Sequence, residues 1–294
     1  MIPETWQRSR ALRRFLKNPG ACIGLVLVLL LVAFALLGPL LASYPPTVSD
    51  FSYGRDALGQ PAGPGPRHLL GTDILFRDLF SRLASGARVS LLIACFATLI
   101  AIGVGTLVGI ASGMTVGTRG RLIDTLLMRT VDVGLSFPYL LLVMAIGAAL
   151  GDTTITTILL VLGLSSWFGT ARLVRGKTLQ VRSLDFITAA RALGQTTPRI
   201  VLRHVLPNVA GPVIVLASAS AANMILAEAV LSYLQLGLPP PTPSWGRMLY
   251  EGQAAFLLTP RLVLAPGLLI VLSVLGFNLL GEGLRDALDP QEDR

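Results

Sequence analysis

The side chains in this chain that could carry acid–base, nucleophilic or metal chemistry are few, and their spacing argues against catalysis. Of the two histidines, His68 lies in a Pro- and Gly-rich stretch and His204 in a basic block, settings too unlike to share a metal. Cys22 and Cys95 both sit inside apolar runs, which reads as two buried thiols and not as a disulfide or a metal pair. Gly176-Lys177-Thr178 looks like the end of a phosphate-binding loop. That motif also needs a glycine five residues before Gly176, where Ala171 stands, and a preceding strand that aims backbone N–H groups at phosphate. An apolar run of helical length stands in place of the strand, so any ATP this chain uses is bound by another chain.

Two polar groupings remain. Asn223 and Glu228 interrupt a long apolar run, and Glu228, Ser232 and Gln235 share one helical face at i, i+4 and i+7. A carboxylate at membrane depth is costly unless it meets water or a partner. The reading is therefore a pore-side or subunit-interface role for Asn223, Glu228 and Ser232, against the alternative of an acid snorkelling to the surface. The second grouping is the block Asp185 to Pro207, DFITAARALGQTTPRIVLRHVLP, with Asp185, Arg191, Arg199, Arg203 and His204 between two apolar segments. Ala189, Ala190, Ala192 and Leu193 favour helix, Gly194 ends it, and a second helix starts near Thr196, Thr197 and Pro198. Taken alone, this is an amphipathic loop resting on a membrane or a docking element for another protein. Two smaller expectations concern Asp132, read as an ion pair with Arg129 three residues earlier, and Trp245, read as an anchor at the membrane–water interface.

The elements that must hold these residues follow from composition. The 294 residues are 53% hydrophobic and 14% charged, with a mean hydropathy of +0.70. Soluble domains carry about 25% charged residues, so membrane residence is the first reading. The net charge of +8 comes from basic residues beside apolar runs and not among aromatics, which fits membrane orientation better than nucleic-acid binding, so no nucleic-acid partner is expected. Apolar runs near 21–42, 89–113, 131–150, 155–171, 209–234 and 262–280 are each of roughly membrane-spanning length, for which about 20 helical residues suffice. The first is too long for a secretory signal core and no cleavage site follows it. Residues 43–86 are polar and rich in Pro and Gly, and Leu75, Leu79 and Leu83 predict a short amphipathic helix along the surface before the second span. Gly105, Gly109 and Gly113 leave one face of that span bare, which predicts close approach of a neighbouring helix. With both termini on one side, seventeen of the 24 Lys and Arg residues fall on the side of the 185–207 block, which makes that side cytoplasmic. The expected organisation is a cytoplasmic segment 1–20, a first span 21–42, an extracytoplasmic segment 43–86, a five-helix core 87–283 and a cytoplasmic tail 284–294.

Motif spacing narrows this further. Thr188-Ala189-Ala190, three residues, Gly194, nine residues, then His204-Val205-Leu206-Pro207 resembles the EAA loop of ABC importer permeases, written Glu-Ala-Ala, three residues, Gly, nine residues, Ile-x-Leu-Pro. Thr188 stands where Glu is usual and His204 where Ile is usual. HLLGTD at 68–73, SRLASGARVSLL at 81–92, PPTPSWGRML at 240–249 and FNLLGEGLRDALDP at 277–290 resemble the dipeptide, oligopeptide and nickel permeases of this group. The resemblance implies an all-α membrane protein with the type I importer permease fold and six transmembrane helices, in a bacterial cytoplasmic (inner) membrane. It implies a heterodimer with a second homologous permease, two cytoplasmic ATPases that bind the ATP and Mg, an extracytoplasmic solute-binding protein, and no cofactor in this chain. Asp185, Thr188, Ala189, Ala190, Arg191, Gly194, Leu206 and Pro207 would then form the coupling element that seats on an ATPase. Peptides are the expected cargo, with nickel or another small solute as the alternative. A stand-alone secondary transporter would show inverted repeats, and no convincing repeat is present. A membrane-embedded enzyme would need a nucleophile and base within the spans, and neither histidine lies in one.

Overall fold

A computed structural model of the chain describes residues 12–117, 120–151 and 153–288. Helix α1 covers Pro19–Leu41 and starts where the Asn18 side chain accepts the Ala21 N–H at 3.2 Å, with Pro19 in the first turn. At about 1.5 Å per residue it outreaches an apolar layer of about 30 Å. It packs along α10, Arg261–Leu288, through Gly24. A Cβ on Gly24 would fall 2.5 Å from the Leu280 nitrogen, so only glycine permits this approach.

Helix α2, Leu79–Thr115, is the axis of the molecule. The Asp78 carboxylate caps it by accepting the Ser81 N–H at 2.8 Å. The amphipathic surface helix expected from Leu75 onward is absent, and the residues before Leu79 form turns. The cause is local: the Asp73 side chain accepts the N–H groups of Leu75 and Arg77, each at 2.9 Å, which offers the backbone an alternative to helix. Further along α2, Gly105, Gly109 and Gly113 face α5, Ile155–Arg182, as the spacing predicted. Added Cβ atoms there would lie 2.5 Å from Thr170, 2.7 Å from Val174 and 2.7 Å from Thr178.

The expected third span at 131–150 is not one helix. Helices α3, Arg121–Ser136, and α4, Tyr139–Leu150, meet at a 96° bend. Pro138 supplies no N–H and holds Phe137 extended, so the helix must stop there. α5 runs on to Arg182, well past the residue 171 expected from hydropathy, because its polar last turns pack on α2. Helix α6, Asp185–Ala192, and the single turn α7, Thr197–Ile200, follow. A π-helical turn, Val201–Val205, then feeds α8, Leu206–Tyr233. Between α8 and α10 lies the short helix α9, Trp245–Gly252. Among the described residues five stretches are long and apolar enough to cross a membrane, and the bent α3–α4 pair makes a sixth if counted as one span. Among the described residues strand pairing is limited to three isolated bridges, so the all-α class holds.

Of the three core clusters among the described residues, two organise the bundle. The larger joins α2, α8 and α9 around Leu83, Ile93, Ile225 and Trp245. The smaller lies at the basic end, where Ile187 and Ala190 of α6 pack with Val174, Val181, Ile200 and Val205. Trp245 is fully buried and its Nε1–H donates to the Leu83 carbonyl at 3.2 Å. It is therefore a core residue and not the interface anchor its proline-rich setting suggested. Asp132 pairs with Arg172 of α5 at 2.5 Å, not with Arg129, because α3 lies against α5 at that height.

Candidate functional site

The block at 185–207 is built as a rigid protrusion. Asp185 sits in the first turn of α6 and Arg191 in its last, each complementing the helix dipole. Ile187 and Ala190 face the bundle and are buried, whereas Thr188, Ala189 and Arg191 are exposed and Leu193 is 82% exposed. The two alanines thus differ: Ala190 seats the helix on its own bundle, and Ala189 faces outward. Gly194 has φ +76°, and a Cβ added to it would meet nothing within 4 Å. Its backbone conformation, not lack of space, demands glycine. The Gly194 N–H donates to the Arg191 carbonyl at 2.9 Å and the Gln195 N–H to the Ala190 carbonyl at 3.1 Å. These two bonds form a Schellman cap.

The return path to α8 runs through His204. Its Nε2 lies 3.3 Å from Gln195 Oε1, and its ring packs 5.9 Å from that of Phe186. One side chain thereby touches both ends of α6. In the π turn the Leu206 N–H donates to the Val201 carbonyl, and the Asn208 side chain donates to the His204 carbonyl at 2.7 Å. Leu206 and Pro207 are exposed at the start of α8, where Pro207 contributes no donor of its own. Sequence reasoning marked His204 as a polar member of the block and a departure from the usual residue, but not as this tie.

Beneath the block the ends of α2, α3 and α5 are clamped. Arg175 donates from Nε to Asp124 Oδ1 at 2.7 Å and from a terminal nitrogen to Oδ2 at 3.0 Å, and Ser112 Oγ donates to the same carboxylate. Arg182 donates to the carbonyls of Gly113, Met114 and Val116, the last at 2.6 Å. Such bidentate and carbonyl-gathering contacts suit arginine's planar fork.

The expected polar trio in α8 separates. Asn223 is exposed and opens on a cleft of about 430 Å³ between the α3–α4 bend, α5 and α8. Tyr139, Ser165, Ser166 and Met224 line the same cleft, and Ser166 Oγ lies 3.0 Å from the Tyr139 hydroxyl. Glu228 and Ser232 do not reach it. Glu228 is 0% exposed, accepting from Ser232 Oγ at 2.7 Å and from Ser90 Oγ at 2.9 Å. The pore-side or interface placement expected for these two residues is corrected: α2 and α9 cover that face and satisfy the carboxylate inside the chain. Snorkelling is excluded by the same burial.

At the opposite end a charged network ties the 43–78 segment to α9. Arg77 and Arg82 both contact Asp73 and Glu251, three of the four contacts at 2.7 Å and the Arg82–Asp73 one at 3.1 Å, and Arg247 joins Glu251 at 3.1 Å. His68 sits between Asp78 at 2.9 Å and Asp50 at 3.4 Å. The Asp50 carboxyl is held below its ordinary value, first by the Tyr53 N–H, with Ser52 and His68 adding to it against the cost of burial. His68, Asp73, Arg82 and Arg247 lie in stretches that carry the family resemblance, but which of these charges pair with one another was not legible until the fold collects them. Among the described residues no three His, Cys, Asp or Glu side chains are placed so that they could hold a metal ion.

Residues 105–294 match the model of the binding-protein-dependent transport system inner membrane component. The chain belongs to this family. Residues 6–61 of the permease match the N-terminal TM domain of oligopeptide transport permease C. It is 42% identical to the di/tripeptide transport system permease protein DppC of Pseudomonas aeruginosa, over 99% of this chain and 92% of that one. It is 39% identical to the glutathione transport system permease protein GsiD of Pectobacterium atrosepticum, over 95% and 89%. The fold resembles a chain of the MetNI methionine ABC transporter solved in inward-facing conformations, with TM-score 0.57 at 19% identity, covering 70% of this chain and 96% of that one. The permease is a multi-pass membrane translocation subunit and not an enzyme; in this family the ATPase is a separate subunit.

Proposed function

We propose that this permease moves di- or oligopeptides inward across the cytoplasmic membrane, paired with a second homologous permease and driven by two ATPases that bind ATP and Mg on their own chains. A solute-binding protein delivers cargo at the face formed by segment 43–86 and α9. Residues 1–20, the 185–207 block and residues 284–294 lie on the cytoplasmic side, and the five-helix core spans 87–283. Support for the cargo comes from the names of the relatives, which carry di/tripeptides and glutathione.

The observation that carries the coupling role is the division of α6 into two faces. Ile187 and Ala190 lock it to the bundle, while Asp185, Thr188, Ala189, Arg191 and Leu193 form an outward face. A helix so mounted transmits force from an ATPase to α8 through Gly194, the π turn, Leu206 and Pro207. Thr188 supplies no carboxylate at the position where this loop usually has one, so Asp185, the one acidic residue in the block, carries any acidic contact. The test is Ala189→Arg, placed on the outward face so that the bundle is untouched. Membrane insertion is expected to persist while the ATPase subunits no longer co-purify and uptake of labelled alanyl-alanine stops. Normal co-purification with normal uptake would overturn the docking assignment.

A further inference from the structure

The bend at Phe137-Pro138 does more than interrupt a span. It turns the first turn of α4 onto the cleft, with Phe137, Tyr139 and Leu140 among the lining residues. No side chain caps this helix, and its first intrahelical donor is the Leu142 N–H, bonded to the Pro138 carbonyl at 3.0 Å. The preceding N–H groups of the turn have no intrahelical acceptor, and a helix start carries about half a positive charge. Two independent observations sit around the same cavity. Ser165 of α5 is only 4% exposed, lines the cleft, and its Oγ has no hydrogen-bond partner. Asn223 of α8 opens into the cleft with its amide unbonded among the described residues. None of the lining residues is charged, so no side chain of the cleft wall offsets the positive pole of α4.

We propose that this cleft is a transit site for the carboxylate of the cargo, held by the first-turn N–H groups of α4, the Ser165 hydroxyl and the Asn223 amide. The proposal rests on the peptide reading above and deepens it, because the shared carboxylate end is what every peptide presents. The remaining walls, Phe137, Leu140, Phe168 and Met224, are apolar and accept varied side chains without hydrogen-bond demands. A volume near 430 Å³ falls in the range of small-molecule pockets, about 300–1,000 Å³. The same features disfavour a bare metal cation, which would face a positive helix end and no anionic ligand. Irregular backbone at membrane depth is tolerated where it lines such a cavity.

The test uses the complete transporter in proteoliposomes, with its partner permease, ATPases and binding protein, and labelled alanyl-alanine as the probe. Asn223→Asp places a second anion in the site, and like-charge repulsion is expected to cut the maximal uptake rate about tenfold or more. Asn223→Leu, losing only hydrogen bonds, is expected to cut it about threefold, and Ser165→Ala by a similar factor. KM, set by the binding protein, stays unchanged in all three, and binding-protein-stimulated ATP hydrolysis shows that the complexes assemble. Ser165→Ala separates function from packing, since removing an unpaired buried hydroxyl leaves the thermal midpoint unchanged or raised. Equal uptake by Asn223→Asp and Asn223→Leu, or full uptake by Ser165→Ala, would overturn the transit site alone. Absence of ATP-dependent alanyl-alanine uptake by the unaltered transporter would overturn the peptide reading and this site with it.

Discussion

Gly194 is the residue on which the block's geometry turns, and its requirement is conformational. A non-glycine residue at φ +76° costs about 1–2 kcal/mol, less for asparagine, whose side chain tolerates the left-handed region. Gly194→Asn is therefore expected to retain most uptake and Gly194→Val to lose most of it, with equal amounts of protein in the membrane by immunoblot. If the valine variant transports as well as the asparagine variant, the left-handed cap is not what fixes α6. Glu228 teaches the opposite lesson about reading single residues. An acid inside an apolar run reads as functional by its cost, yet the fold offsets the cost of full burial with two serine hydroxyls that donate to the carboxyl group. Nothing in residues 223–235 announces that Ser90, far away in α2, will be its partner. The same holds for Asp132, since the i, i+3 rule concerns one helix and Arg172 arrives from another.

At the scale of elements, what sequence revealed were features governed by backbone rules. The glycine stripe of α2, the end of α6 at Gly194 and the proline at the entry to α8 all depend on φ, missing Cβ atoms or missing donors, which are local properties. The bend at Pro138 belongs to the same class, but a hydropathy window over 131–150 averages across it and sees one span. The length of α5 escaped for the converse reason, because hydropathy falls at Arg172 while the helix continues on tertiary packing against α2. Between α6 and α8 the link is His204 and the π turn. Such turns recur at functional sites and leave the ladder free to reset. His204→Ala removes the contacts to Phe186 and Gln195 together. It is expected to leave the ATPase subunits bound and hydrolysing while uptake per ATP falls several-fold, read by parallel phosphate-release and uptake assays. An unchanged ratio would mean the tie carries no force.

For the whole molecule, the distribution of order matches the proposed division of labour. One end is stapled by Asp73, Arg77, Arg82 and Glu251, a buried charge network whose members lose more if one partner is removed than any pair contributes alone. The other end is clamped by Arg175 and Arg182, and between them lies the one sharply bent pair of apolar helices among the described residues. Rigid ends around a bent middle suit alternating access, in which packed elements rock about a fixed region. The central claim is that the outward face of α6 meets an ATPase. A photoreactive benzoyl-phenylalanine placed at Leu193, the most exposed apolar side chain of the block, tests it in intact membranes. The expected product is a covalent adduct with an ATPase subunit whose yield changes when ATP is trapped; an adduct with lipid alone, or with the partner permease in place of the ATPase, would contradict the account.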